Sequence, residues 1–315
     1  MPDTLECRYW QDPFRQLGLY TASKICIVPQ ILAIPQGVRQ PASRLFNAPA
    51  LLRLWHLASL DAPTVAATWS SAFAKAAGVR LPAWVPLLIA LVTWAVYIGD
   101  RLLDARWAMR ARRANHLRER HLFQWRHRRA FLFLGLAASC GGAWIVLSFM
   151  PTGARERNAV LALAAMAYFS WVHVLSNLRN LFSKELLVGV LFTAGCALPT
   201  LGRAADISAA FIAALSFFVA LAWLNCYAIE LWESAKQNKS QSGISSISCL
   251  LALGGFIGAT AFHASQFRAA DLIAAGTASA LLLAFLDCTR SRLTPLTLRV
   301  TADFVLLTPL VVILR

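Results

Sequence analysis

The stretch VPLLIALVTWAVYIGDRLLDAR, residues 85–106, decides how this chain is read. From Val85 to Gly99 it carries no charge, so with its flanks it has the length and apolarity of a membrane-crossing helix. Asp100 and Asp104 then follow four residues apart, on one face of that helix at its end. Like charges at this spacing repel unless a cation sits between them, and a divalent metal shared with a phosphate would supply one, because hard oxygen ligands suit magnesium.

The whole composition agrees with a membrane reading. Of 315 residues 58% are apolar and 14% charged, against about 25% charged in an ordinary soluble domain. The glycines and prolines follow no period, which excludes a collagen-like chain, and the dominance of apolar stretches excludes a disordered one. Apolar runs fall at 50–74, 83–104, 130–150, 158–176, 185–201, 207–231, 245–263, 269–287 and 300–314. The expectation is therefore an all-α, polytopic protein with nine transmembrane helices over residues 49–315. Residues 1–48 form an N-terminal extension without a clean span, either partly disordered or lying on the membrane surface, and without the pattern of a cleaved signal peptide.

A net charge of +15 would suggest nucleic acid in a soluble protein. Here the basic residues sit between apolar runs and orient the chain. The Arg-rich stretch from Arg106 to Arg129 belongs on the cytoplasmic side, and alternation puts Arg53, Arg179, Lys184, Lys236, Lys239, Arg290, Arg292 and Arg299 there too. The N-terminus is then cytoplasmic and the C-terminus on the opposite side, and the expected location is a bacterial inner membrane. The Arg-rich loop lacks interleaved stacking aromatics, so no nucleic-acid partner is expected. The seven cysteines are dispersed, without a CxxC, and read as small buried hydrophobes.

A second acidic pair lies at the end of the sixth run, in WLNCYAIELWE, residues 223–233. Glu230 and Glu233 share a helical face there, Asn225 lies a turn and a half earlier, and Trp232 marks the interface. Two acidic pairs on two helices thus lie at one membrane depth. Acids at span ends commonly pair with nearby arginines among headgroups. Both pairs together, beside a basic loop and NLRNLFSKELLVG, residues 177–189, favour a polyanion pocket. Carboxylates would hold Mg2+ and basic groups the remaining phosphate oxygens, with the hydrocarbon interior behind them to take a lipid tail.

On these grounds the chain resembles the UbiA superfamily of intramembrane prenyltransferases, over about residues 49–315. That family has nine transmembrane helices and aspartate-rich motifs on the second and sixth. Asp100 and Asp104 match the last two aspartates of the motif NDxxDxxxD, with Val96 and Tyr97 at the places of its first Asn and Asp. Asn225, Glu230 and Glu233 stand where the second motif, DxxxD, is found. Arg120 in RHLF resembles the arginine of the family's RPL stretch, and Lys184 its basic residue between the fourth and fifth helices. The resemblance implies Mg2+-dependent transfer of an isoprenyl group from an isoprenyl diphosphate donor to a lipid-soluble or aromatic acceptor. Asp100, Asp104, Glu230 and Glu233 would ligate Mg2+, while Arg120, Arg179 and Lys184 neutralise the leaving diphosphate. Tyr97 cannot ligate as a carboxylate would, and Glu in place of Asp shifts the oxygens, so a divergent branch is implied.

Around this set, Tyr97 either orients a substrate or is an interface tyrosine, and Asn177 and Asn225 are either pocket lining or packing residues. Asp61, inside the first run where ionisation is expensive, either lines the acceptor side or hydrogen-bonds to a neighbouring helix. His56 and His173 read as packing or interface residues, and Arg299 with Asp303 as an intrahelical pair anchoring the last span. Two other functions compete with the enzyme: a noncatalytic lipid-binding or scaffold relative, and a transporter, the latter weakened by the lack of an internal repeat.

Overall fold

The computed structural model describes residues 50–110, 119–174, 184–233 and 243–314. Among these residues the chain forms twelve α-helices and no strand. They are α1 (Ala50–Leu57), α2 (Asp61–Ala76), α3 (Trp84–Arg110), α4 (Glu119–Arg126), α5 (Arg128–Phe149), α6 (Thr152–Val174), α7 (Lys184–Leu201), α8 (Ala209–Glu233), α9 (Ile244–His263), α10 (Phe267–Thr289), α11 (Pro295–Val305) and α12 (Leu310–Leu314). Six of them, α3, α5, α7, α8, α9 and α10, are long and apolar enough to cross a membrane. The chain is an integral membrane protein. The N-terminal extension 1–48, Asn177 and Arg179 lie outside the described residues.

Where the sequence predicts nine long spans, the first and last apolar runs are instead broken. Run 50–74 becomes α1 and α2, separated at Ser59, whose backbone lies at φ +61°, a conformation rare for a residue with a side chain. Run 300–314 begins earlier, at Pro295 behind a Thr294 cap, and parts between Val305 and Leu310 into α11 and α12. Pro309 lies in that gap and cannot donate to a preceding carbonyl. The fourth run is the helix α6, whose first turns carry Arg155, Glu156 and Arg157 and reduce its apolarity.

A helix broken inside a packed bundle leaves carbonyls without their helical partners, so neighbouring side chains must satisfy them. At the first break the indole of Trp94 donates to the Ala58 carbonyl at 2.8 Å and Gln124 to that of Leu57 at 3.2 Å. Arg101 donates to Ser59 Oγ. At the second break Trp69 donates to the Leu306 carbonyl at 2.9 Å and Ser279 to that of Val305 at 2.8 Å.

The short helix α2 is the centre of the bundle, packed on α3, α7, α10, α11 and α12. Its alanines and serines let neighbours approach closely, while Trp69 stacks on Phe218 of α8 at 3.8 Å and Phe73 meets the same ring edge-on. Helices α7 and α8 touch at Gly189, where an added Cβ would lie 3.0 Å from the Trp223 amide nitrogen. This close approach sets the start of α7 beside the end of α8. The helix α6 packs on α7, and a cavity opens between α6 and α3.

Candidate functional site

The cavity has a volume of about 880 Å³, within the size range of small-molecule sites. Its wall follows α7 from Lys184 to Pro199 and on to Arg203. At about 1.5 Å per residue that is roughly 27 Å, close to the thickness of a bilayer's hydrocarbon core. Most of the lining is apolar, with Leu88 and Val92 from α3, Ala162 and Ala165 from α6, and Val188 and Phe192 from α7.

Polar groups gather at the end marked by Lys184. On α3 the residues Val96, Tyr97 and Asp100 continue the face begun by Leu88 and Val92, as helical spacing requires. From α8 come Asn225 and Glu230, from α2 Asp61, and from α7 Lys184 with Glu185. Six of the expected site residues, Asp61, Tyr97, Asp100, Lys184, Asn225 and Glu230, therefore share one cavity. Lys184 Nζ lies 3.8 Å from Glu230 and 3.7 Å from Glu185, a cation already held between carboxylates of two helices.

Three other candidates stand elsewhere. Asp104, one helical turn past Asp100, is not part of the cavity wall. Glu233 accepts from Arg299 Nη1 through both carboxylate oxygens at 2.9 Å, with Arg120 Nη1 3.6 Å away. The expected metal ligand Glu233 and the expected diphosphate ligand Arg120 thus meet each other in a half-buried cluster tying α8 to α11 and α4. Trp232, read as an interface marker, turns its indole to Asp287 of α10 at 2.9 Å.

The last span contributes more than the sequence suggested. Arg299 and Asp303 do not serve as an intrahelical anchor: Arg299 reaches across to Glu233, and Asp303 accepts from Asn225 Nδ2 at 3.5 Å. Both line the cavity, together with the buried Arg101, whose guanidinium also lies 5.7 Å over the Tyr97 ring. His56, read as packing, hydrogen-bonds through Nδ1 to Asp61 Oδ2 at 2.7 Å and is almost fully buried. Asp61 thus lines the cavity and also hydrogen-bonds to a residue of another helix. Sitting in the first turn of α2, it is also favoured there by the helix dipole. An arginine between two aspartates and an Arg–Asp pair within apolar sequence were the signals that could have flagged Arg101, Arg299 and Asp303.

One group among the described residues brings its ligand atoms close enough together for a cation. His56, Asp61 and Asp303 each place one ligand atom within 4.8 Å of the others, but Arg101 and Arg299 already act on these carboxylates electrostatically. Asp100, Glu185 and Glu230, each from a different helix, line the cavity end that also holds Lys184. These hard oxygen donors suit Mg2+, which characteristically takes one or two protein carboxylates and completes its shell with phosphate and water.

At the far end the cavity is lined by Arg155, Arg157 and Arg203. Arg155 donates to the Met150 and Leu147 carbonyls at 2.9 Å, and Arg203 to that of Pro199 at 3.0 Å while lying over the Trp84 ring. These cations close helix C-termini. Compared with protein-family models, curated proteins and solved structures, the chain finds no significant match.

Proposed function

We propose that this protein is a divergent UbiA-like intramembrane prenyltransferase, transferring an isoprenyl group from an isoprenyl diphosphate to a lipid-soluble acceptor. The observation that carries the reading is a single cavity with carboxylates and a lysine at one end and a helix-long apolar bore behind them. A diphosphate with a hydrocarbon tail has that same division. In this reading α1–α2 and α11–α12 are broken spans, the bundle has nine crossings, and Lys184 marks the cytoplasmic end of a bacterial inner-membrane protein.

Asp100 and Glu230 would hold Mg2+, which when bound neutralises charge on the leaving diphosphate. Lys184 is within reach of the same oxygens and stabilises the negative charge that builds as the carbon–oxygen bond breaks. The apolar wall of α3, α6 and α7 aligns the chain and keeps water from the allylic carbon. The purified full-length chain should bind geranylgeranyl diphosphate only with Mg2+, and the Asp100→Asn variant should bind it at least about tenfold more weakly, as loss of a metal-holding group does. Folded protein that binds no prenyl diphosphate of any length would overturn the proposal.

One observation favours a noncatalytic lipid-binding relative instead. Glu233, at the position of the second motif, is satisfied by Arg299 and Arg120 without a metal. Tight Mg2+-dependent donor binding with no diphosphate release over a wide acceptor panel would select that reading.

A further inference from the structure

We infer that a groove between α10 and α12, at the end of the bundle opposite Lys184, binds one anionic phospholipid, with its phosphodiester on Lys75 and Arg268 and an acyl chain along the groove. The inference is independent of the prenyl-transfer reading and needs only that the chain is a membrane protein. The groove is a second cavity of about 540 Å³ that shares no lining residue with the first. One wall is the face of α10 formed by Asp271, Ala274, Ala275 and Ala278, and the other is Val311 and Val312 of α12. Lys75 lies in the last turn of α2, roughly 20 Å along that helix from Asp61. Helix α10 is long and apolar enough to cross a membrane, and along its second half the exposed positions carry Leu281, Leu282 and Phe285. Alanine at the exposed positions 274 and 278 of its first half leaves open the space that such side chains would fill.

Two cations line the same groove. Lys75 donates to the Ile313 carbonyl at 3.0 Å, which fixes its ammonium beside the end of α12 and leaves two of its protons for another acceptor. Arg268, in the first turn of α10, reaches back to the turn that closes α2: a Cβ at Gly78 would lie 3.0 Å from its Nη1, and the Gly78 amide donates to the Lys75 carbonyl at 3.1 Å. Both side chains keep exposed surface. Among the described residues neither forms an ion pair with an acid, Asp271 included. Arg268 also sits at the positive end of a helix whose first residue is preceded by Gln266, which makes no side-chain cap bond. A cation and uncapped amides at a helix start both cost stability, and an anion offsets both.

The chemistry of that anion follows from its surroundings. Lys75 and Arg268 against Asp271 leave one positive charge in excess, which the single charge of a phosphodiester balances, and the planar guanidinium suits phosphate oxygens. A doubly charged phosphomonoester would press its second charge on Asp271. A choline lipid would bring its own cation to the two already there. Free phosphate would satisfy the cations but not the apolar walls, whereas a phospholipid fills both parts of the groove.

The test is native mass spectrometry of the full-length chain titrated with dioleoyl-phosphatidylglycerol or dioleoyl-phosphatidylcholine, which have the same tails. The wild type should bind the first phosphatidylglycerol at least about fivefold more tightly, the order expected of a basic contact near a membrane surface. Arg268→Gln should weaken phosphatidylglycerol binding by about fivefold and leave phosphatidylcholine binding unchanged. Ala278→Trp, which fills the groove and keeps both cations, should weaken phosphatidylglycerol binding as much. Arg128→Gln, exposed at the other end of the bundle, should change neither. Equal affinity of the wild type for the two lipids overturns the inference and needs no variant, so misfolding cannot obscure the result. A folded Arg268→Gln protein, monodisperse on gel filtration, that binds phosphatidylglycerol as the wild type does also overturns it. So does full binding by Ala278→Trp, which with a change of oligomeric state assigns the groove to a second copy of the chain. Competition by glycerophosphoglycerol, the headgroup without its chains, at the affinity of the lipid overturns it as well, since the cations then bind an anion alone.

Discussion

The two ends of the cavity use their charged side chains differently, the Lys184 end carrying both signs and the Arg203 end arginines alone. At the Lys184 end, charges of both signs meet across helices, with Lys184 against Glu230 and Glu185, and Arg299 against Glu233. At the Arg203 end, two of the three arginines spend their donors on carbonyls of nearby helix termini. A bare cation on a helix end closes the backbone and leaves nothing for chemistry. Carboxylates and cations from different helices hold the bundle together and also offer a place where a metal and a phosphate can replace the internal partners.

This contrast can be broken most forcefully at Glu233. Glu233→Ala strips Arg299 and Arg120 of their shared counter-ion, and removing one partner of a buried pair costs about 3–5 kcal/mol. Thermal unfolding in detergent should show a drop of many degrees, or no folded protein at all. The close helix contact behind the same end is next in size. Gly189→Ala would press a Cβ against the Trp223 amide and the Val219 carbonyl, and overpacking of that kind costs about 1–3 kcal/mol. It should lower the melting temperature and, by pushing α7 away from α8, weaken diphosphate binding as well.

Two aspartates on one helix sharpen the comparison further. Asp100→Asn should reduce Mg2+-dependent geranylgeranyl diphosphate binding about tenfold or more, whereas Asp104→Asn, outside the cavity wall, should change it by less than about threefold in the same titration, as expected of a charge without direct ligand contact. Arg203→Ala at the far end should be the mildest change. It removes a cation from a helix C-terminus, worth about 0.3–1 kcal/mol, and should shift the melting temperature slightly while leaving diphosphate affinity unchanged.

Individual residues divide in how well the sequence revealed them. Asp100 and Glu230 stood out because a carboxylate at the edge of an apolar run needs a reason to be there, and both line the cavity with Tyr97, Asp61, Lys184 and Asn225. Asp104 and Glu233 stood out for the same reason, yet helical periodicity says only that they share a face with their neighbours, not where the cavity ends or which arginine arrives from another helix. Arg299 and Asp303 were misjudged because their spacing suits an intrahelical pair, and only the packing of α11 on α8 gives each a different partner.

The amino-acid composition and the apolar runs by themselves determined that this is an all-helical membrane protein with acidic groups at the ends of two of its helices, since hydropathy and spacing are local properties. The breaks at Ser59 and before Pro309 were decided by tertiary structure, because a helix can part inside the bundle only where Trp94, Gln124, Trp69 and Ser279 arrive to satisfy the carbonyls it frees. The same long-range packing decided which charges face one cavity and which close on each other, a matter of distances between residues far apart in the chain that no local pattern encodes.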